Sequence, residues 1–289
     1  MMVPRLVGLL LALPFLWGRA ASAQRHPPVI AYDCEPRLPN GHVNVDAIVN
    51  GVAAAHVDGY DYLIWRAPTD YADLGRLLAA ADSAKFQVWV TLTPPTEQVA
   101  PYGLTQPYGL DFVAWQRAIS TLAGQHPSLR GLIIDDFELN TGFFSPELFR
   151  SMRAVRDSLG GRPELWVVIY HRLLDALPRW WPRRARDFDG VMFAYEGYAN
   201  ADSLGTVLAQ ARRTVPGGPK IGVNIFVRGG PKAPMPRRTV DYVSRTLAIS
   251  DSVADVTRLY CFPIADGNDS LTAATRLFTS GVRHQAGPR

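Results

Sequence analysis

Eight times along this chain a short run rich in Val, Ile, Phe, Tyr and Trp gives way to a longer stretch of helical character. That alternation constrains the fold more than any single motif, because β-branched and aromatic runs bounded by turn residues are strands. The strands are expected at residues 29–35, 60–67, 86–93, 129–140, 164–172, 190–198, 220–228 and 258–266, with helices near 44–56, 70–83, 111–124, 145–159, 173–186, 202–214, 236–250 and 269–280. Ser145-Pro146-Glu147 is an N-cap with proline at the first helical position, Asp202 or Ser203 can cap the sixth helix and Asp269 or Ser270 the last. Gly160-Gly161 and Gly217-Gly218 are stop signals. Eight β–α pairs in one chain predict an α/β fold, a single (β/α)8 TIM-type barrel. A doubly wound open sheet is the alternative, but no early G-x-G-x-x-G turn supports a dinucleotide-binding version of it.

The first 23 residues read as a secretory signal peptide. Arg5 supplies the positive start, Val7 to Trp17 the apolar stretch, and Ala21-Ser22-Ala23 an A-x-A cleavage site. The apolar stretch is short for a membrane-spanning helix, and nothing later resembles a span. The expected organisation is a signal peptide at 1–23 and a barrel domain at 24–289, which is 289 − 23 = 266 residues. The expected location is secreted or periplasmic. Export removes Arg5 and Arg19 and no acid, so the formal charge of +4 becomes 4 − 2 = +2. That balance points neither to nucleic acid nor to a membrane surface. Arg183, Arg184 and Arg186, beside Trp180 and Trp181, read as a solvated helix face, with contact to a partner or anionic polymer as the other reading. There is no zinc-type His/Cys spacing. No cofactor is expected, and a monomer is.

Polar residues gather at the C-terminal ends of otherwise apolar strands, where barrels of this kind place their chemistry. Strand one offers Asp33 and Glu35, strand two Arg66, strand three Thr91 and Thr93. Strand five offers Tyr170 and His171, strand six Tyr195 and Glu196, strand seven Asn224 and Arg228, strand eight Asp266. The densest group is strand four, Gly131-Leu-Ile-Ile-Asp135-Asp136-Phe-Glu138-Leu-Asn140. Alternation puts Ile134, Asp136 and Glu138 on one face and Ile133, Asp135 and Phe137 on the other. Ala194, between Met192 and Glu196, suits a crowded interior and points Glu196 inward. Asp136 and Glu138 would then converge with Glu196 and Asp33 above the barrel. Paired carboxylates are what glycosidic cleavage needs: one protonated acid for the leaving oxygen, one charged base or nucleophile, split by like-charge crowding. Trp65, Trp89, Tyr170, Tyr195 and Tyr198 could stack on sugar rings, though core packing accounts for each singly. The proline- and tyrosine-bearing stretch 94–110 is expected over the mouth.

The whole of 24–289 resembles the (β/α)8 glycoside hydrolase superfamily. Ile134-Asp135-Asp136-Phe137-Glu138 resembles the acidic D-x-E end of strand four in chitinase-like, family 18 type enzymes, and Met192-Phe193-Ala194-Tyr195-Glu196 is distantly similar to their strand-six motif. The resemblance implies Glu138 as general acid and Asp136 as the residue that orients a substrate acetamido group. This chain departs from the pattern at Ile134, where that family has a further Asp, and at Leu129-Arg130-Gly131, where it has an Asp-Gly start. A resemblance to other retaining barrel glycosidases implies instead Asp136 or Asp135 as nucleophile and Glu196 as donor. Asp33, Glu35, Arg66, Asp135, Asn140, Tyr170, His171, Tyr195 and Asn224 are the candidate substrate-binding residues. Plainer roles stand beside several of them: a rim network of Asp33 and Glu35 with Arg66, a structural His171, a helix-layer cap from Asp135, a turn held by Asn140.

Two further functions compete. One is a divalent-metal hydrolase using Asp33, Glu35, Asp135, Asp136 and His171, an oxygen-rich set suited to Mg²⁺, Ca²⁺ or Mn²⁺. The other is a catalytically inactive carbohydrate-binding barrel. Closure of the sheet would also bring Cys34 near Cys261, where either a disulfide or two buried thiols can result.

Overall fold

A computed structural model of the chain describes residues 26–65, 67–98, 103–176, 184, 186–197, 200–214, 217–228, 239–266 and 269–285. Its eight strands are β1 (Val29–Tyr32), β2 (Gly59–Ile64), β3 (Gln87–Leu92), β4 (Leu129–Ile134), β5 (Glu164–Tyr170), β6 (Gly190–Tyr195), β7 (Lys220–Phe226) and β8 (Val256–Tyr260). All are parallel and close in sequence order into a barrel, β8 returning to β1 with Tyr32 opposite Tyr260. The helices are α1 (Val45–Ala55), α2 (Asp70–Ala84), α3 (Phe112–Gln125), α4 (Pro146–Ser158), α5 (Ser203–Thr214), α6 (Val240–Val253) and α7 (Ser270–Gln285). The expected helix at 173–186 falls largely outside the described residues, which show a 3-10 turn over His171–Ala176.

Side-chain oxygens cap two helices at positions named from the sequence. Ser145 accepts from the Leu148 N–H at 3.2 Å ahead of Pro146, and Asp269 from the Leu271 N–H at 2.7 Å. Asp111 and Thr239 do the same for α3 and α6. A second regularity closes the opposite end of the barrel. Asp58, Asp189 and Asp255 stand just before β2, β6 and β8, and accept from Val29, Leu165 and Ile221 N–H groups at 3.0, 2.8 and 2.7 Å. Each acid ties the start of one strand to its predecessor and occupies backbone donors that would otherwise be unsatisfied.

Two layers of core follow from the strand period of two. The inner one is Ile30, Trp89, Ile133, Trp166, Val168, Met192, Ala194, Phe226 and Val256. The outer, larger one packs the alternate residues against the helices. Trp89 and Trp166 meet edge to face at 5.3 Å and fill the floor. They fit because Gly131 and Gly190 leave room. A Cβ on Gly131 would lie 2.1 Å from the Trp89 ring, and one on Gly190 2.2 Å from Trp166.

β8 runs over Val256–Tyr260 rather than the expected 258–266. Cys261 therefore sits past its end in a left-handed turn, with φ of 53°. No disulfide joins Cys261 to Cys34, and a backbone bond from Phe262 N–H to Tyr32 O at 2.9 Å holds the seam instead. Arg184 also departs from expectation. It is buried, donates to Phe144 O at 2.8 Å and lies over the rings of Phe137, Phe149 and Phe188, so it belongs to the helix-layer core and not to a solvated face.

Candidate active site

The acidic segment does not continue β4 as a strand. Asp135 N–H donates to Leu92 O at 3.1 Å, and the ladder ends there. Asp135 then accepts from the Asp136 N–H at 3.1 Å, Asp136 turns left-handed with φ 39° and ψ 40°, and Phe137–Asn140 form a single 3-10 turn. Asp is one of the few side chains that tolerates that region, because it can bond locally. The strand also reverses the inward face read from sequence. Ile133 faces the barrel interior, while Ile134 and Phe137 face the helices. Asp135, not Asp136, is thus the carboxylate that continues the inward face, and it does not enter the helix layer.

The left-handed turn nevertheless returns Asp136 to the mouth, where the Tyr170 hydroxyl lies close enough to favour its charged form. Burial pushes its carboxyl up to about 8, helped by the nearby charges of Asp135, Glu97 and Glu138. Burial likewise lifts Asp135, with the positive charge of Arg258 pulling the other way. Glu138 rises to about 7, chiefly through burial and then through Asp135. Both of its carboxylate oxygens are buried without a hydrogen-bond partner among the described residues. The backbone groups of Glu138 and Tyr170 lie close enough to oppose that rise, as does Arg172, but neither backbone group makes a well-formed bond. Three carboxyls with Tyr170 among them make one cluster, and Glu97 from the long β3 loop joins it.

That loop is well anchored. Gln98 donates to Thr93 O at 2.8 Å and accepts from the Thr105 N–H at 3.0 Å. Asn140 bolts loop and turn together. Its amide donates to Thr96 Oγ1 at 3.0 Å and to Asp136 O at 2.9 Å, and its oxygen accepts from the Thr96 N–H at 3.2 Å. Asn140 is therefore buried with its hydrogen-bonding groups engaged, the turn-holding role of the two considered.

Beneath the acids lies a charged plug that sequence reasoning missed. Arg258 on β8 and Asp61 on β2 are both fully buried and meet at 2.6 Å. Thr91 donates to Asp61 at 2.8 Å, Arg258 Nε donates to Asn224 Oδ1 at 3.2 Å, and the guanidinium lies 4.6 Å over the Tyr32 ring. Asn224 thus sits within the barrel as an acceptor for Arg258. The signal was present: Asp61 interrupts Tyr60-Asp-Tyr-Leu-Ile, and a charge inside an apolar strand needs a partner in the core.

The remaining candidates divide by location. Glu196 pairs with Arg172, which lies 4.3 Å over the Tyr170 ring and is also felt by Glu138, so Glu196 borders the acid cluster. His171 accepts from the Glu196 N–H at 3.0 Å. Asp33 is drawn to the other side of the rim by Arg228 at 2.7 Å, and burial still raises its carboxyl to about 6. Glu35 accepts from Leu63 N–H at 2.6 Å, stands 3.8 Å from Arg37, and burial raises it to about 8. Tyr195 faces the helix layer, its hydroxyl donating to Asn200 O at 2.5 Å. Trp89 is in the floor. Arg66 and Tyr198 lie outside the described residues. No three His, Cys, Asp or Glu side chains converge as a metal site among the described residues; Asp33, Glu35 and His171 are each turned to other partners. Among those residues, too, no helix is long and apolar enough to cross a membrane.

No family model and no curated protein matches the chain. Solved structures do. An exo-beta-1,4-mannosidase from Opitutaceae bacterium strain TAV5 superposes with a TM-score of 0.62 at 14% identity, over 93% of this chain and 62% of that one. The GH53 catalytic domain of Ignisphaera aggregans gives 0.59 at 10%, over 90% and 98%. The beta-glucuronidase of Bacteroides uniformis gives 0.54 at 11%, over 82% of this chain and 30% of that one. The likeness is one of fold. At such identities it establishes the (β/α)8 barrel, and these structural neighbours are glycosidases by name.

Proposed function

We propose that this protein is an exported glycoside hydrolase acting on an oligo- or polysaccharide at the C-terminal mouth of the barrel. The observation that carries the reading is the environment of Glu138. A carboxyl buried with no hydrogen-bond partner among the described residues and raised to about 7 is still protonated in a large share of molecules near neutral pH, and the protonated form is the one a general acid uses. Glu138 would protonate the leaving glycosidic oxygen. A second carboxyl, from Asp135 and Asp136, would serve as the charged nucleophile or base. Tyr170, beside Asp136 and beneath Arg172, contributes an aromatic wall to the mouth against which a sugar can rest. Export is supported by the residue pattern of 1–23, and N-terminal sequencing of the secreted protein beginning at Gln24 would test it.

The barrel glycosidases of similar fold are consistent with this chemistry, although one fold serves many reactions. The decisive experiment is reducing-end release from a broad panel of glycans by the wild type and by Glu138→Gln. Release by the wild type alone is expected. Release by both would move the acid to Glu196 or Asp136. Binding without release by either would leave a carbohydrate-binding barrel, and release that a chelator abolishes would revive the metal hydrolase.

A further inference from the structure

We propose that Arg172 is a specificity-determining residue that binds a carboxylate of the substrate, so that the glycan taken by this mouth carries uronic acid residues. The inference rests on the glycosidase reading for what becomes of the glycan, but not for the binding of its acidic group.

Arg172 follows β5 by two residues, in the His171–Ala176 turn. Its place over the mouth is set by the residues around it. Tyr170, the last residue of β5, packs against the inner layer of the core and not against the helices. The acidic turn Phe137–Asn140 lies beside β5. The Arg172 guanidinium stands 4.3 Å over the Tyr170 ring, so it overhangs the opening that the acids line. Glu196, just past β6, holds it from the side through Nη1. Glu196 is itself fixed by the bond from its N–H to His171 Nδ1 at 3.0 Å.

The guanidinium is held yet only partly engaged. Arginine carries its N–H donors in a planar fork, and stacking on a ring fixes the plane of that fork. Arg172 uses one nitrogen, in the bond to Glu196, and makes no other hydrogen bond among the described residues. Its side chain keeps 51% of its surface open. Arg37 shows the contrast: it divides its donors between Asp70 at 2.7 Å and Gly41 O at 3.0 Å, and so ties loops together. An exposed ion pair such as Arg172–Glu196 adds little stability, so stability does not account for an ordered guanidinium at the lip.

A ligand suited to the open edge is planar and anionic. Two parallel N–H···O bonds match a carboxylate, and among sugars the uronic acids carry one. A neutral sugar would leave that edge to water. The acids of the mouth would repel such a substrate if all were charged. Burial raises Asp136 to about 8 and Glu138 to about 7, which removes part of that repulsion.

The test uses the full-length protein with oligogalacturonate, oligoglucuronate and alginate oligomers, each beside its carboxyl-reduced, neutral form of the same linkage. Binding is read by titration calorimetry and cleavage by reducing-end release. At least one acidic glycan is expected to bind about tenfold more tightly than its reduced form, or more, the scale of one charge-assisted pair. Arg172→Gln should bring the two forms to within about twofold, and Arg172→Lys, which keeps the charge but not the fork, should fall between. Both variants should stay folded in thermal unfolding, because the side chain is exposed. Acidic and reduced forms bound alike by the wild type, no acidic form bound at all, or a preference that survives in Arg172→Gln would each overturn the proposal. If neutral glycans are cleaved and acidic ones are not preferred, the glycosidase reading stands and the carboxylate site falls. If an acidic glycan is bound through Arg172 but never cleaved, the site stands and the glycosidase reading falls.

Discussion

Glu138→Gln should separate function from stability in opposite directions. The carboxyl has an ordinary value of 4.5 and stands at about 7 in the folded protein. A group raised on folding lends its full stability below the unfolded value and loses it as pH rises through the folded one. Between pH 5 and pH 8 the wild type should therefore lose about 2–3 kcal/mol through Glu138 that the Gln variant does not lose. For a chain of this length that is roughly 5–10 °C in Tm. Loss of a general acid should meanwhile reduce turnover by about 10²–10⁴-fold, or about 3–5 kcal/mol of barrier. The assay is thermal unfolding of both proteins at pH 5 and pH 8, beside reducing-end release. A variant whose Tm falls with pH as steeply as the wild type would refute the buried, uncharged Glu138, whatever happens to activity. A folded variant with near-wild-type turnover would refute its role as acid.

Other outcomes can be stated more briefly. The kcat/KM of the wild type should fall as pH rises above about 7, where Glu138 gives up its proton, and a pH profile on any cleaved glycan checks it. Tyr195→Phe should leave turnover within about twofold and cost about 1 kcal/mol of stability in chemical denaturation, because its hydroxyl serves Asn200 and not the mouth. Gly131→Ala should destabilise by about 1–3 kcal/mol or more, read as a lower Tm, since its Cβ meets the Trp89 ring and an indole in the floor cannot retreat. Asn140→Ala should cost about 1–3 kcal/mol and lower turnover as well, because it unties the β3 loop from the acidic turn.

The sequence alone determined the architecture. Eight apolar runs, each too short for a helix and each followed by an amphipathic stretch, have few ways to bury their surfaces, and the closed parallel barrel is the one that leaves no strand edge exposed. It also gathered the acids of the segment after β4 at one end of the barrel, because polar side chains that follow a buried strand are accommodated most readily at its mouth. The helix caps at Ser145 and Asp269 were equally legible, being local. The tertiary structure decided which acid faces where. Alternation along β4 holds as far as Asp135, but its phase puts Ile133 and not Ile134 inside, and the left-handed turn then brings Asp136 back to the mouth. Nor could local pattern foretell that Arg258 would reach across the barrel, from β8 to Asp61 on β2, through a separation of 197 residues. The raised proton affinity of Glu138 has the same origin. A carboxyl's affinity for its proton depends on which charges and dipoles surround it, and those neighbours are assembled only when the barrel closes.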